Sequence, residues 1–124
     1  MFSIFKKASQ ADRDMTVKSI LKLSDLWVEG GYKEFHLRLI GYHHDAGNQS
    51  AASDGMKRFE AMNHLISESL RVCNTDTLYN QKVQTMVFRK VSVALNWLDQ
   101  QSVFAYENDV PFKELIPKPS GQTS

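Results

Sequence analysis

Four histidines, one cysteine and a scatter of carboxylates are the side chains with which this chain could do metal, nucleophilic or acid–base chemistry. His43, His44 and Asp45 stand together and are followed by Ala46-Gly47. Two imidazoles chelate one ion from a single helix when they are four residues apart, which sets them side by side. His36 precedes His43 by seven residues and His44 by eight, about two turns along a helix axis, so neither pair grips one ion. His64 has Glu60 and Glu68 at the four-residue spacing. That set offers only two ligands on a polar helix face, and it reads as a surface ion or hydrogen-bonded pair. His36 and His43 fall toward the apolar edge of their segment, where satisfied core-rim histidines are common.

The run His43-His44-Asp45-Ala46-Gly47 resembles the His-Asp step of the helical HD phosphohydrolase family. The resemblance covers these few residues, and it implies a metal-dependent hydrolase built on His44 and Asp45. That family also uses an earlier metal-binding His, a later Asp and a longer chain. Here the earlier histidine is His36, too close to His44, and Asp99 stands later with nothing to mark it.

Nucleophilic chemistry has less to work with. Cys73 falls on an apolar helical stripe near a helix C-terminus, where the dipole opposes thiolate formation. No Gly-x-Ser-x-Gly elbow and no Gly-rich phosphate loop occurs, and Gly30-Gly31 lacks a following Lys-Ser/Thr. No carboxylates pair toward one cleft. The sequence therefore points to no catalytic residues, no metal ligands and no cofactor.

The elements that would position these residues are helical. A first helix is expected from about Ala11 to Glu29, stopped by Gly30-Gly31. Asp14, Lys18, Lys22, Asp25 and Glu29 form a narrow polar strip on it, and Met15, Val17, Ile20, Leu21, Leu23, Leu26, Trp27 and Val28 fill most of the remaining surface. A helix so widely apolar belongs near the centre of a bundle or in an oligomer.

Tyr32 to Ala46 has two readings. As a helix it aligns Tyr32, Phe35, Leu39, Tyr42 and Ala46 and pairs Glu34 with Arg38; as a strand it alternates Phe35, Leu37 and Leu39 against His36, Arg38 and Ile40. Helix is preferred, because no second convincing strand exists to pair with it.

Gly47 to Asp54 reads as a connection, and a third helix as running from about Ser53 to Cys73. Its apolar arc holds Met56, Phe59, Met62, Ile66, Leu70 and Cys73, with Ala61, Leu65 and Val72 as a second, smaller strip. Asn63 at the stripe edge reads as a polar specifier of packing register. After Asn74-Thr75-Asp76-Thr77 a fourth helix is expected to about Gln101, with Tyr79, Val83, Met86, Val87, Val91, Ala94, Trp97 and Leu98 on its apolar face. Lys90 sits inside that face and must snorkel, meet a carboxylate or point at a partner. From Ser102 onward an irregular strap follows, carrying Val103, Phe104, Tyr106 and Phe112. The expected fold is all-α: an antiparallel bundle of about four helices with an irregular C-terminal strap. Residues 1–116 read as one helical domain and 117–124 as a disordered tail.

Totals narrow the function further. The 124 residues suit one domain, and 42% hydrophobic with 23% charged is ordinary globular usage, so disorder of the whole chain is not expected. A net charge of +1 provides no global field for phosphate backbones. Lys6, Lys7, Arg13, Lys18 and Lys22 do cluster early, but Asp12, Asp14 and Asp25 interrupt them and no aromatic-basic stacking platform appears. One cysteine permits no intrachain disulfide and fits a reducing, cytoplasmic setting. No secretory-type apolar stretch and no membrane-spanning window is present; Phe2, Ile4 and Phe5 beside Lys6-Lys7 could touch a lipid surface.

The leading expectation is a non-catalytic protein-interaction module: an adaptor, an inhibitor or immunity-type protein, or a small subunit, binding a protein partner and possibly itself as a homo-oligomer. The candidate interface residues are Ala61, Leu65, Val72, Lys90, Phe104 and Tyr106. A helical nucleic-acid-binding regulator ranks second, and the HD-like phosphohydrolase third.

Overall fold

The computed structural model describes residues 6–119. Phe2, Ile4 and Phe5, considered above for lipid contact, lie outside the described residues, as do residues 120–124 of the tail. Among these residues the fold is an all-α bundle of four helices.

Three of the four helices start where a side chain satisfies one of their first free N–H groups. Helix α1 spans Gln10–Val28, and the Ser9 hydroxyl accepts a hydrogen bond from the Asp12 N–H at 3.1 Å. Helix α2 spans Tyr32–Asp45, so the helical reading of this segment holds. The Glu34–Arg38 pair at 3.0 Å joins residues four apart, which a helix stacks side by side and a strand would set about 13 Å apart, and Phe35 is fully buried. Gly31 precedes α2 at φ +83°, a left-handed conformation that disfavours other residues, and a Cβ there would overlap the Leu115 carbonyl oxygen.

Helix α3 spans Gln49–Cys73, four residues earlier at its start than the sequence suggested. Most of the supposed connection is helical, because the Asn48 side chain caps the Ala51 N–H at 3.2 Å and Ala52 is buried. A 3₁₀ turn at Asp76–Tyr79 leads into α4, Gln81–Glu107, capped by Asn80 on the Val83 N–H at 3.1 Å.

Helix α4 continues six residues past Gln101, so the segment Ser102–Glu107 is helix and not strap. Ser102 and Ala105 are small and buried, which lets the last turns lie close against the bundle. The strap begins after Asn108 and contains a 3₁₀ turn at Lys113–Leu115. It is held by Tyr106 Oη donating to the Ile116 carbonyl at 3.2 Å, by the Ser102 hydroxyl donating to the Pro117 carbonyl, and by Phe112 on Phe35 with ring centroids 5.3 Å apart.

Helix α1 packs chiefly on α4, and α2 chiefly on α3, while α3 and α4 approach each other at few points. Ile20, Leu23, Trp27, Phe35, Met62, Ile66, Val91 and Leu98 meet in the middle. Of the wide apolar surface of α1, only part is used: Met15, Leu21 and Val28 stay exposed. Buried polar groups stitch the helices together. Gln84 Nε2 donates to Thr16 Oγ1 at 2.6 Å between α4 and α1, and Trp27 Nε1 donates to Asn63 Oδ1 at 2.8 Å between α1 and α3. Asn63 thus fixes register as a hydrogen-bond acceptor, which the indole N–H of a buried tryptophan requires.

At the N-terminal side, the Ala8 N–H donates to the Tyr79 carbonyl and the Gln81 N–H to the Lys6 carbonyl, at 2.7 and 2.8 Å. This short antiparallel bridge lays Lys6 and Lys7 beside the start of α4. No helix among the described residues is long and apolar enough to cross a membrane.

Candidate functional site

The histidines do not converge. His43 and His44 lie on the last turn of α2, where His44 Nδ1 stands 3.6 Å from Asp45 Oδ1 with both side chains largely in solvent. His36 is in the core rather than at its rim. Its ring stacks on Trp97 at 4.7 Å with an interplanar angle of 17°, and on Trp27 at 5.8 Å with 25°. Burial among these rings pushes its pKa down to about 4, because the imidazolium has no water and no carboxylate to stabilise it. His36 Nε2 and Trp97 Nε1 are both buried without hydrogen-bond partners. Near-parallel stacking explains why they do not satisfy each other: each ring nitrogen directs its hydrogen bond within its own plane, past the neighbouring ring. The reading of His36 as a satisfied histidine is therefore corrected.

Among the described residues no three His, Cys, Asp or Glu side chains gather in a group able to hold a metal ion. The Cys73 thiol is half-buried and its pKa is raised by that burial.

What α3 and α4 do form is a groove. Ala61, Leu65, Glu68 and Val72 recur at spacings of four, three and four residues along α3, and Met86, Lys90, Val93 and Trp97 repeat that spacing along α4. Each set is one helix face. Because the two helices splay apart, these faces line a hollow of about 960 Å³ instead of closing on each other. Its lining runs from Arg58 to Val72 on α3 and from Val83 to Trp97 on α4, about 21 Å along each helix at 1.5 Å per residue. Met62, Ser69 and Ala94 are buried at its base, whereas Val93 is 65% and Met86 49% exposed.

Four of the six residues singled out in the sequence, Ala61, Leu65, Val72 and Lys90, line this groove together. Phe104 and Tyr106 do not. Phe104 points outward on the last turns of α4, and Tyr106 is spent on holding the strap. Lys90 is exposed, and no carboxylate among the described residues lies within ion-pair distance of it. It is neither buried nor paired. Sequence reasoning missed Met86, Val93 and Trp97 as groove residues by assigning α4 a single inward face. The repeat Met86-Lys90-Val93-Trp97 was the signal of a second one.

The groove edge is cationic. Arg58, Arg71, Arg89 and Lys90 face it, against the single carboxylate of Glu68. Glu68 is itself engaged by Arg71 at 2.9 Å, which lowers the carboxyl pKa and raises that of the guanidinium. A second hollow, of about 750 Å³, shares Met86, Arg89 and Lys90 with the groove and adds Lys6, Asn80, Gln81, Lys82 and Thr85.

No protein-family model matches the chain, and neither a curated protein nor a solved structure matches it.

Proposed function

We propose that this chain is a non-catalytic protein-interaction module whose docking surface is the α3–α4 groove, and that its occupant is a helix of a partner protein. The observation that carries this reading is the long apolar trough between α3, which packs chiefly on α2, and α4, which packs chiefly on α1, while the two approach each other at few points. A trough about 21 Å long, floored by aliphatic side chains and walled by two helix faces, suits four turns of an amphipathic helix seated by its apolar residues. Exposed aliphatic residues gathered in one place, as Met86 and Val93 are, mark such sites more often than scattered ones do.

The charge pattern selects a different chain over a second copy. Two identical grooves face to face would bring Arg58, Arg89 and Lys90 against themselves, a like-charge juxtaposition that disfavours a closed dimer through this face. The cationic edge gives nucleic-acid binding a specific basis as a second reading. It ranks lower because the groove is lined mainly by aliphatic side chains, without the stacking platform that single strands use.

The test is capture of partners by the tagged protein from its own cells, run in parallel with Val93→Asp and with Leu21→Asp on the exposed face of α1. A stoichiometric partner retained by Leu21→Asp and lost by Val93→Asp is the expected result. A partner retained equally by both variants would overturn the groove as the docking surface.

A further inference from the structure

The two hollows described above form one continuous surface, joined at Met86, Arg89 and Lys90. The chain is nearly neutral, yet this surface concentrates six of its fifteen lysines and arginines and only one of its fourteen carboxylate residues, Glu68. Glu68 is already paired with Arg71. Lys6, Lys82, Arg89 and Lys90 have no carboxylate within ion-pair distance among the described residues. The N-terminal bridge to Asn80 places Lys6 there by backbone hydrogen bonds, so the cluster belongs to the fold and is not a chance meeting of long side chains. Like charges held close repel one another, and an opposite charge on a partner relieves that repulsion.

We propose that the docking helix is acidic: its apolar face fills the α3–α4 groove, and its carboxylates lie along the strip from Lys6 and Lys82 to Arg89 and Lys90. This rests on the docking reading of the groove and adds the chemistry of the occupant. The apolar contacts supply most of the affinity, since flanking charges in solvent contribute little each. The strip selects the partner's sign and speeds encounter. Basic amphipathic helices, which would fit the trough equally well by shape, are rejected by the same strip.

The experiment uses the full chain and three synthetic amphipathic helical peptides of one length and one apolar face. Their polar faces carry Glu, Gln or Lys, and binding is read by fluorescence anisotropy at low and at high salt. The Glu peptide is expected to bind at least about tenfold tighter than the Gln peptide at low salt, to lose most of that margin at high salt, and to leave the Lys peptide unbound. Charge reversal at Lys82→Glu, Arg89→Glu and Lys90→Glu, all exposed, should invert the order. Equal, salt-insensitive binding of the Glu and Gln peptides would overturn the acidic assignment and leave the groove reading standing. Binding of none of the three would remove the groove reading itself. Displacement of the Glu peptide by an equal charge of DNA, with affinity unaffected by Val93→Asp, would overturn both in favour of nucleic acid.

Discussion

The α1–α2 side of this bundle and its α3–α4 side are made of similar residues and reach opposite outcomes. On the first side, Trp27, Phe35 and His36 are covered on every face: by Phe59 and Asn63 from α3, by Trp97 from α4, and by Phe112 from the strap. On the second side, Leu65, Met86 and Val93 line open space. The difference lies in what lies over each. The strap crosses the first side and donates Phe112, Leu115 and Ile116 to it, while no segment among the described residues crosses the second. A bundle of four helices closes only as many seams as it has elements to cover, and here the uncovered seam is the one whose edge is charged.

Substitutions separate the two sides most sharply in stability. Phe35→Ala should cost about 3–5 kcal/mol in urea unfolding, the usual loss for a large buried aromatic, whereas Val93→Ala should stay within about 0.5 kcal/mol. Similar losses at both positions would mean that the seam is not open.

Acid is the next largest lever. Between pH 6.5 and about 4 the unfolded chain protonates His36 while the folded chain keeps it neutral, so the unfolded state binds more protons. The stability His36 contributes is therefore complete above about pH 6.5 and falls as the pH drops toward 4, by roughly 3 kcal/mol in all. His36→Phe keeps a ring between Trp27 and Trp97 and should flatten that part of the curve. An unchanged pH profile in His36→Phe would show that other groups govern acid sensitivity.

A smaller effect is expected at the α1–α4 contact. Gln84→Ala leaves the Thr16 hydroxyl buried with one partner fewer, a loss of about 1–3 kcal/mol measurable by thermal unfolding. Smallest on stability should be Val93→Asp, within about 0.5 kcal/mol, yet it should abolish peptide binding. A stability loss of several kcal/mol there would place Val93 in the core and not in a binding trough.

The helical nature of this chain is legible because apolar residues recur at helical spacing; the caps Ser9, Asn48 and Asn80 are not, and Asn48 starts α3 four residues before Ser53. Tyr32 to Asp45 carries both periods, and only its place between α1 and α3 decides it. The end of α4 was misjudged for a physical reason. Ser102 and Ala105 are weak hydrophobes, so the stripe fades after Leu98, although small size is what lets those turns pack closely. The groove was half legible. Ala61, Leu65 and Val72 form a second strip, of which the core takes in Val72 and part of Leu65 and leaves the rest on the groove, and Lys90 interrupts an apolar face. Whether α3 and α4 close on each other depends on interhelical distance, which no local pattern encodes. Phe104 and Tyr106 look alike in sequence, and only the hydrogen bond to Ile116 distinguishes the second.

The glycine at the α1–α2 turn has a consequence for the order in which the molecule is made. Gly31 is pressed against the backbone of Leu115, which the ribosome delivers long after the hairpin formed by α1 and α2 has emerged. The part of Phe35 that Phe112 covers must wait through the synthesis of α3 and α4, and closing that long loop carries its entropy cost late. Nascent chains stalled before the strap should thus be the form that chaperones hold. Release should coincide with the arrival of Phe112 to Ile116.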